Sequence, residues 1–334
     1  MAVTLSLLLV ARKMARNKVL VKSLSVIETL SCVNVIASDK TGTLTQNKMF
    51  VTTACAGLTI VNSKQARRAS TMGDTKAELK SSLQLLNACI LCNEAKFDDQ
   101  DMMMEGGMMS SSGVVLGGTS ITPGADRHSL GSRRDSVKPV NERPASGGAT
   151  DVAILRYGAN YLEMDEVYEN YEVLDKLVGV LPFNSRNKWM ARIFKKSAQS
   201  SSQEPGDCFN LGEDECVITM KGAPDILITS CKWIMRDDGT QAPLDSHALE
   251  RLKQIQTEWC LLGQRVLLIC KKNESVSRML AFGSQPASDL EAYLKEMKDL
   301  CVLGMVGIID KPRDGIETVI KTCRQAGVRV FMVN

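Results

Sequence analysis

The chain has 334 residues, of which 44% are apolar and 24% are charged; this is ordinary for soluble globular protein and predicts two or three domains. Its net charge of +3 is too small to indicate a nucleic-acid partner or binding to a membrane surface. Eleven scattered cysteines, with no secretory signal before them, favour a reducing cytosolic setting over a disulfide framework. The two histidines, His128 and His247, are far apart in sequence, which disfavours a histidine-rich metal site.

Residues 2–11 are almost continuously apolar and are followed by four basic residues, Arg12, Lys13, Arg16 and Lys18. Such a run is too short to span a bilayer, which takes about 20 residues. The basic residues follow the apolar run, whereas in a signal peptide they precede it. Two interpretations stay open at this point: the last turns of a membrane helix entering a basic cytosolic collar, or an ordinary buried helix.

A β-branched run over residues 33–38 predicts a buried parallel strand that ends at Asp39 and is followed by a turn containing glycine. In α/β sheets, functional residues gather at the carboxyl ends of such strands. Extended character continues over residues 50–60, and apolar residues at helical spacing predict a helix over residues 75–92. Residues 97–148 are rich in Met, Gly, Ser, Pro, Asp and Arg, so we expect a disordered insertion that cannot bury a face.

The rest of the chain predicts alternating elements. Helices are predicted at residues 151–161, 224–231, 247–263, 287–300 and 314–326. Strands are predicted at residues 171–181, 189–195, 217–220, 301–309 and 328–333. A strand–helix pattern thus opens the chain, a mixed segment interrupts it, and the pattern resumes at the end. This order predicts an α/β domain with a second domain inserted into it.

Residues 39–45, with the sequence Asp-Lys-Thr-Gly-Thr-Leu-Thr, form the strongest chemical signal. At the end of a strand, the carboxylate of Asp39 would be free to attack a phosphorus atom. A carboxylate accepts a phosphoryl group when Mg²⁺ neutralises the developing charge and donors hold the equatorial oxygens. Thr41 and Thr43 could supply such contacts through their hydroxyl or backbone groups.

This motif resembles the phosphorylation signature of the P-type ATPases, whose catalytic domain is related to the haloacid-dehalogenase fold. The resemblance implies that Asp39 is the nucleophile that becomes a 4-aspartylphosphate, that Lys40 and Thr41 belong to the catalytic site, and that Asp39 and Thr41 hold Mg²⁺. Phosphatases of the superfamily carry an aspartate two positions after the nucleophile, where this chain has Thr41. That difference favours a pump, whose aspartyl phosphate must persist, over a phosphatase.

Two further segments resemble the adenine pocket of the same family. Residues 181–188 (Leu-Pro-Phe-Asn-Ser-Arg-Asn-Lys) imply that Phe183 stacks on the purine and that Lys188 lies nearby. Residues 221–225 (Lys-Gly-Ala-Pro-Asp) are similar to a Lys-Gly-Ala-Pro-Glu motif, in which Lys221 lines the pocket and Gly222 lets the backbone approach the base. Without their flanking residues, Phe183 would be read as core packing and Lys221–Gly222 as a simple turn.

Four more ATP contacts follow from the resemblance. Residues 263–267 resemble a Gly-x-Arg-Val-Leu strand whose arginine, here Arg265, reaches the phosphates; a guanidinium fork suits polyphosphate. Residues 310–313 (Asp-Lys-Pro-Arg) resemble an Asp-Pro-Pro-Arg hinge with lysine in place of the first proline, and keep Asp310 and Arg313 as nucleotide contacts. Asp151 falls where the family has an acidic residue beside the adenine.

The fold implied by the resemblance is α/β: a partial haloacid-dehalogenase-like, Rossmann-like phosphorylation domain with a large inserted α+β nucleotide-binding domain. Its parts are the end of a membrane helix and stalk at 1–23, the phosphorylation domain at 24–51 and 310–334, and the nucleotide-binding domain at 52–309, with the insertion at 97–148. The family's ion-site motif would lie before the chain and its Thr-Gly-Asp motif after it. We therefore expect this stretch not to transport ions by itself.

The ligands implied by the resemblance are ATP, Mg²⁺ and a transported cation. The resemblance also implies that helices outside this stretch lie in the membrane and that the stretch itself lies on the cytoplasmic side. The sodium/potassium and proton/potassium pump alpha subunits look closest, which favours Na⁺, K⁺ or H⁺ and leaves a beta-type subunit open. Two alternatives stay open: a separate dehalogenase-superfamily phosphotransferase or phosphatase, and a non-catalytic nucleotide-binding protein. No Walker A sequence occurs, so a P-loop is not expected.

Weaker signals have simpler explanations. Cys89 and Cys92 are spaced to share one helical face, which favours core packing over a metal or redox site. Ser70 and Ser136 each follow basic residues, as at the sites of basophilic kinases. Such short patterns also arise by chance, so modification of these two serines stays open.

Overall fold

The computed structural model describes residues 2–30, 32–61, 80–98, 139–175, 177–197 and 208–333. The chain divides into two compact units, one formed by residues 1–48 with 310–334 and the other by residues 49–309. The predicted mixture of helices and strands is confirmed in the described residues. The predicted phosphosites Ser70 and Ser136 and most of the predicted insertion lie outside them.

Helices and strands alternate along the described residues. In chain order, the helices are α1 (Ala2–Arg16), α2 (Leu24–Leu30), α3 (Lys80–Leu91), α4 (Ala149–Ala159), α5 (Met164–Asn170), α6 (Pro224–Leu227), α7 (Ser246–Leu261), α8 (Val276–Leu280), α9 (Ala287–Glu296) and α10 (Ile316–Gln325). The strands are β1 (Val35–Asp39), β2 (Thr45–Ala56), β3 (Thr59–Ile60), β4 (Lys96–Phe97), β5 (Ala145–Ser146), β6 (Tyr171–Val173), β7 (Val180–Leu181), β8 (Trp189–Lys196), β9 (Glu215–Gly222), β10 (Cys231–Met235), β11 (Gln241–Pro243), β12 (Arg265–Ser275), β13 (Leu300–Pro312) and β14 (Arg329–Val333).

In the first unit, β1 pairs in parallel with β14, in a register that places Asp39 opposite Val333. The prediction that β1 is a buried strand is wrong, because Val35 and Ile36 are 39% and 38% exposed. The cause is that this sheet has only two strands among the described residues, so their side chains are not covered on both faces. The parallel pairing itself was predicted, and it places Asp39 at the carboxyl end of its strand.

Helix α1 carries the apolar run at the start of the chain. Its side chains are mostly exposed, among them Leu5, Leu8 and Leu9, so the interpretation as a buried helix is not supported. Within the part of the chain that the structure describes, none of the helices combines the length and the apolar character needed to cross a membrane.

The described part of the second unit is built on a ten-stranded sheet. Its main path runs β11–β10–β13–β12–β9–β8–β6, and β2, β3 and β7 pair along its sides. The central neighbours β8, β9, β12 and β13 are antiparallel, whereas β10 and β13 run in parallel. Both central strands β9 and β12 are largely buried, as expected for strands covered on two faces.

Alternate residues of these strands belong to two separate cores, because successive side chains of a strand point to opposite faces. On one face, Val217 and Ile269 pack with Leu85 of α3 and Ile154 of α4. On the other face, residues such as Ile218 pack with α7 and α9. The unit is therefore a sheet between two helical layers, and odd-numbered residues of β9, including Lys221, face α3 and α4.

The predicted bounds of the disordered insertion, residues 97–148, include ordered residues at both ends. Phe97 is 1% exposed and belongs to the core beside α3, and it pairs with Ala145 in the short ribbon of β4 and β5. Arg143 stacks over the Phe97 ring, with its guanidinium carbon 5.8 Å from the ring centre. An aromatic side chain buried in a core fixes its backbone, which composition alone did not reveal.

The strand predicted over residues 171–181 is instead two short strands, β6 and β7, separated by a turn. Asp175 forms this turn: its carboxylate accepts a hydrogen bond from the backbone N–H of Leu177 at 2.7 Å, and its carbonyl accepts one from Gly179 at 2.7 Å. Aspartate side chains stabilise turns in this way. Helix α5 and the hairpin of β10 and β11 were not predicted.

Candidate functional site

The carboxyl end of β9 brings together two of the predicted nucleotide-site residues, Lys221 and Gly222. Gly222 pairs with Trp189 of β8. A Cβ atom on Gly222 would lie 2.5 Å from the carbonyl oxygen of Lys188 and 2.6 Å from Cβ of Trp189. Both distances are shorter than van der Waals contact, so glycine is required where β8 and β9 approach most closely.

Lys221 forms a buried ion pair with Asp151. Its Nζ lies 3.0 Å from Oδ1 of Asp151, and the two side chains are only 4% and 18% exposed. The Nζ atom of Lys221 is itself buried, and its contact with Asp151 has the distance of an ion pair without the directionality of a hydrogen bond. A charge buried to this degree requires an opposite charge nearby, and Asp151 supplies it.

The position of Asp151 is fixed by its surroundings. It lies in the first turn of α4, where the helix dipole favours a carboxylate. Its Oδ2 accepts a hydrogen bond from the backbone N–H of Glu94 at 3.2 Å, and its carbonyl oxygen accepts one from Nδ2 of Asn93 at 2.9 Å. The segment after α3 therefore holds the acidic partner of Lys221 in place.

Arg265 reaches the same turn of α4 from the neighbouring strand. It begins β12, is exposed, and donates from Nη1 to Oγ1 of Thr150 at 3.2 Å. Thr150 precedes Asp151 directly, so Arg265 and Lys221 converge on the start of one helix. Two cations next to a helix N-terminus create a region that attracts anions.

The predicted adenine-contact loop connects β7 to β8. Phe183 is 56% exposed, although an aromatic ring of that size is usually largely buried. Lys188 closes the loop with a positive φ of 60°, which is uncommon outside glycine, asparagine and aspartate. The carbonyl of Lys188 accepts a hydrogen bond from the backbone N–H of Ala223 at 3.0 Å. The loop therefore ends directly beside Lys221 and Gly222.

The structure thus gathers five predicted residues around the end of β9 and the start of α4, and places Phe183 on the adjoining loop. The five are Asp151, Lys188, Lys221, Gly222 and Arg265. The other predicted nucleotide contacts, Asp310 and Arg313, lie in the first unit, close to the Asp39 turn.

The turn after β1 presents Asp39 to solvent. Asp39 is exposed, and its carboxylate accepts a hydrogen bond from the backbone N–H of Thr41 at 3.3 Å. Gly42 has φ of +77°, a left-handed conformation that glycine adopts without steric cost. Thr41 and Lys40 are exposed on the same turn.

Asp310 and Arg313 hold this turn from the other end of the unit. Asp310 accepts a hydrogen bond from Oγ1 of Thr45 at 2.5 Å. Arg313 donates from its guanidinium to the carbonyl of Gly42 and from its backbone N–H to the carbonyl of Leu44 at 2.9 Å. Both side chains therefore contact the loop that carries Asp39.

The oxygen atoms of this turn are of the chemical types that Mg²⁺ prefers as ligands. Asp39 and Thr41 offer a carboxylate and a hydroxyl, and the other carboxylate oxygen of Asp310 is buried with no hydrogen-bond partner among the described residues. No cluster of three or more His, Cys, Asp or Glu side chains that could hold a metal occurs in the described ranges. Mg²⁺ commonly uses only one or two carboxylates together with phosphate oxygens and water, and the donors of this turn are of that type.

Comparison with known proteins decides the family. The sequence profile described as P-type ATPase, cytoplasmic domain N, matches residues 129–315, more than half of the chain. The chain belongs to the P-type ATPases.

Individual P-type ATPases match along almost the whole chain. It is 28% identical over 333 residues to potassium-transporting ATPase alpha chain 2 of Cavia porcellus, 29% identical over 331 residues to the sodium/potassium-transporting ATPase subunit alpha of Tetronarce californica, and 31% identical over 339 residues to subunit alpha-3 of Homo sapiens. Each match covers 99% of this chain and 27% of the relative. The chain therefore spans about a quarter of the length of the curated relatives it matches.

Cys89 and Cys92 of this P-type ATPase segment are packing residues, as predicted. Both are fully buried free thiols. Burial raises the pKa of Cys89 to about 12 and also raises that of Cys92. A thiol with so high a pKa stays protonated at neutral pH and is a poor nucleophile and a poor metal ligand.

Sequence reasoning missed the residues that orient the predicted ones. Thr150 and Glu291 make hydrogen bonds to the nucleotide-site segments but belong to no motif singled out in the sequence. Asn184 and Asn187 lie within the 181–188 motif, yet the sequence assigned them no role. Only the Asn-Ser-Arg-Asn run carried a local signal, because asparagine side chains often close turns.

A cavity among the described residues lies elsewhere. It has a volume of about 650 Å³ and is lined by segments around Leu58, Ile234, Asp238 and His247. None of the predicted site residues of this P-type ATPase segment lines it. Its size alone does not make it the functional site, since the convergent charges lie at the end of β9.

Proposed function

We propose that residues 49–309 bind ATP and that the chain is the nucleotide-binding and phosphorylation region of a cation-transporting P-type ATPase. The observation that carries this proposal is the buried Lys221–Asp151 ion pair at the end of β9, beside a glycine that cannot carry a side chain. The relatives support it, since their names describe potassium-transporting and sodium/potassium-transporting ATPases.

Each side chain of the site has a role that its chemistry suits. Phe183 presents an exposed ring on which a purine can stack, an interaction worth about 1–3 kcal/mol where bases meet aromatic side chains. Lys221 places a fixed positive charge next to Gly222, where the lack of a side chain lets neighbouring backbone approach closely. Lys188 and Arg265 are exposed cations that can neutralise phosphate oxygens, Arg265 with a bidentate fork.

We further propose that Asp39 accepts the γ-phosphoryl group of ATP. Its carboxylate oxygen would form the bond to phosphorus as the bond to the ADP oxygen breaks, giving a 4-aspartylphosphate. Thr41 stands where an acidic residue would favour rapid hydrolysis of the aspartyl phosphate. Arg313 and Asp310 make hydrogen bonds to the turn that follows Asp39. Mg²⁺, held by Asp39 and Thr41, supplies neutralisation of the phosphate charge. On this proposal the first unit is a haloacid-dehalogenase-like phosphorylation domain.

The longer protein would couple this phosphorylation to transport. Na⁺, K⁺ or H⁺ is the proposed cation, a membrane region outside this stretch would carry it, and this stretch would face the cytoplasm. A beta-type subunit is a proposed partner of that longer protein.

Calorimetric titration of the chain with ATP tests the nucleotide site. We expect Phe183→Ala to weaken ATP binding by about tenfold through loss of stacking. Phe331→Ala is the matched control, because Phe331 is similarly exposed, at 53%, but lies outside the proposed pocket. Equal affinity of Phe183→Ala and the unaltered chain would refute the assignment of Phe183 to the pocket.

The role of Asp39 requires the longer protein. In a full-length pump containing this segment, radiolabelled ATP should yield an acid-stable phosphoenzyme that hydroxylamine cleaves. Asp39→Asn should abolish the label, because an amide is not a phosphoryl acceptor. A label that persists in Asp39→Asn would exclude Asp39 as the nucleophile.

A further inference from the structure

The loop that carries Phe183 and Lys188 has little regular structure of its own, so its conformation depends on hydrogen bonds. Oδ1 of Asn184 accepts a bond from the backbone N–H of Asn187 at 2.7 Å. The carbonyl of Asn184 accepts one from the backbone N–H of Lys188 at 2.8 Å. These two bonds close a single compact turn between β7 and β8.

One carboxylate outside the loop receives both asparagine side chains. Oε1 of Glu291, on α9, accepts from Nδ2 of Asn187 and, at 3.4 Å, from Nδ2 of Asn184. Asn187 is only 7% exposed, so its amide depends on an acceptor within the protein. Hydrogen bonds to an ionised carboxylate are stronger than those between neutral groups.

The other end of the turn is joined to the proposed nucleotide site. The carbonyl of Lys188 accepts from the backbone N–H of Ala223, which follows Lys221 and Gly222 directly. An unbroken series of hydrogen bonds therefore runs from Glu291 through Asn184 and Lys188 to the end of β9. The position of the Phe183 ring relative to Lys221 depends on that series.

We propose that Glu291 is a positioning residue of the ATP site: its carboxylate fixes the 182–188 turn so that Phe183 and Lys188 are held beside Lys221 before nucleotide arrives. This inference rests on the proposed function. Preorganisation of this kind raises affinity, because the loop loses less conformational freedom when the ligand binds.

The test compares three variants of the full chain in calorimetric titrations with ATP. Glu291→Ala removes the acceptor and should weaken ATP binding by about tenfold. Glu291→Gln keeps an acceptor oxygen and should restore affinity to within about threefold of the unaltered chain. Glu296→Ala, an exposed glutamate at the end of the same helix, is the matched control and should change nothing.

A second readout follows the loop without nucleotide. With 4-fluorophenylalanine in place of Phe183, the ¹⁹F resonance of the unliganded chain should shift or broaden in Glu291→Ala and stay in place in Glu296→Ala. If folded Glu291→Ala binds ATP as tightly as the unaltered chain and its resonance is unchanged, the proposal is overturned. If the unaltered chain does not bind ATP at all, the proposed function fails instead, and the resonance still decides whether Glu291 fixes the turn.

Discussion

Lys221 and Asp151 form the most buried ion pair found among the described residues. Pairs of this kind add little net stability, because both charges must leave water, yet removal of one partner is costly because the other charge stays buried. Such a pair is therefore better explained by a use for its charges than by a contribution to folding. A lysine held in a fixed place by an acidic partner suits the recognition of a nucleotide.

The stability of two variants depends on this buried pair. Asp151→Asn should lower the free energy of unfolding by about 3 kcal/mol, because the ammonium of Lys221 loses its counter-charge in a buried site. The double variant Asp151→Asn with Lys221→Met should recover much of that loss, since no buried charge is left. Urea denaturation followed by circular dichroism measures both.

A surface ion pair provides the control for that measurement. Lys195 and Glu172 lie 3.0 Å apart with side chains 40% and 46% exposed, and Glu172→Gln should cost less than about 1 kcal/mol. Equal losses in Asp151→Asn and Glu172→Gln would contradict the view that burial makes the first pair costly to break.

At the scale of elements, α3 is buried on nearly every side and carries Cys89 close to its end. Other buried thiols, Cys55 and Cys301, lie on β2 and β13, and burial raises the pKa of each to about 12. An unfolded cysteine titrates near its ordinary value of 9.0. The folded state therefore holds these protons to higher pH than the unfolded state does.

The sign of the resulting pH dependence follows from this difference in pKa. Below about pH 9 the thiol is protonated in both the folded and the unfolded state, so its contribution to the free energy of unfolding is fully present. Above about pH 9 the unfolded state loses the proton first, so the free energy of unfolding falls as the pH rises. In Cys89→Ala the fall between about pH 8 and pH 10 should be smaller by about 1.4 kcal/mol. Urea denaturation at the two pH values measures it. Cys260→Ala, at an exposed cysteine, is the control and should leave this pH-dependent fall in the free energy of unfolding unchanged. If Cys89→Ala also left it unchanged, the raised pKa ascribed to burial of Cys89 would be contradicted.

Elements with a strong local signal were predictable, whereas contacts between distant elements were not. The β-branched run predicted a strand over residues 217–220, which the structure extends through Lys221 and Gly222. The meeting of Lys221 with Asp151 depends on α4 crossing one face of the sheet, which no local pattern reveals. Burial of Phe97 was missed for the same reason, because a lone aromatic in a polar stretch gives no periodicity.

At the scale of the whole molecule, the two units carry different parts of the proposed chemistry. Residues 49–309 contain the nucleotide-site residues at the end of β9, and the other unit contains Asp39 with Asp310 and Arg313. Such a division suits a protein in which one region binds ATP and another receives its phosphoryl group. The matching relatives are about four times as long as this chain.

The location of the bound adenine ring is the sharpest test of the proposed nucleotide site. Irradiation of the chain with 8-azido-ATP, followed by mass spectrometry of its peptides, should place the label within residues 181–190 or 217–224, and excess ATP should prevent the labelling. Residues 58–59, 234–238, 242–243, 245 and 247–248, which line the cavity of about 650 Å³, should stay unlabelled. Labelling of that cavity with none near Phe183 and Lys221, competed equally by ATP, would contradict the proposed site.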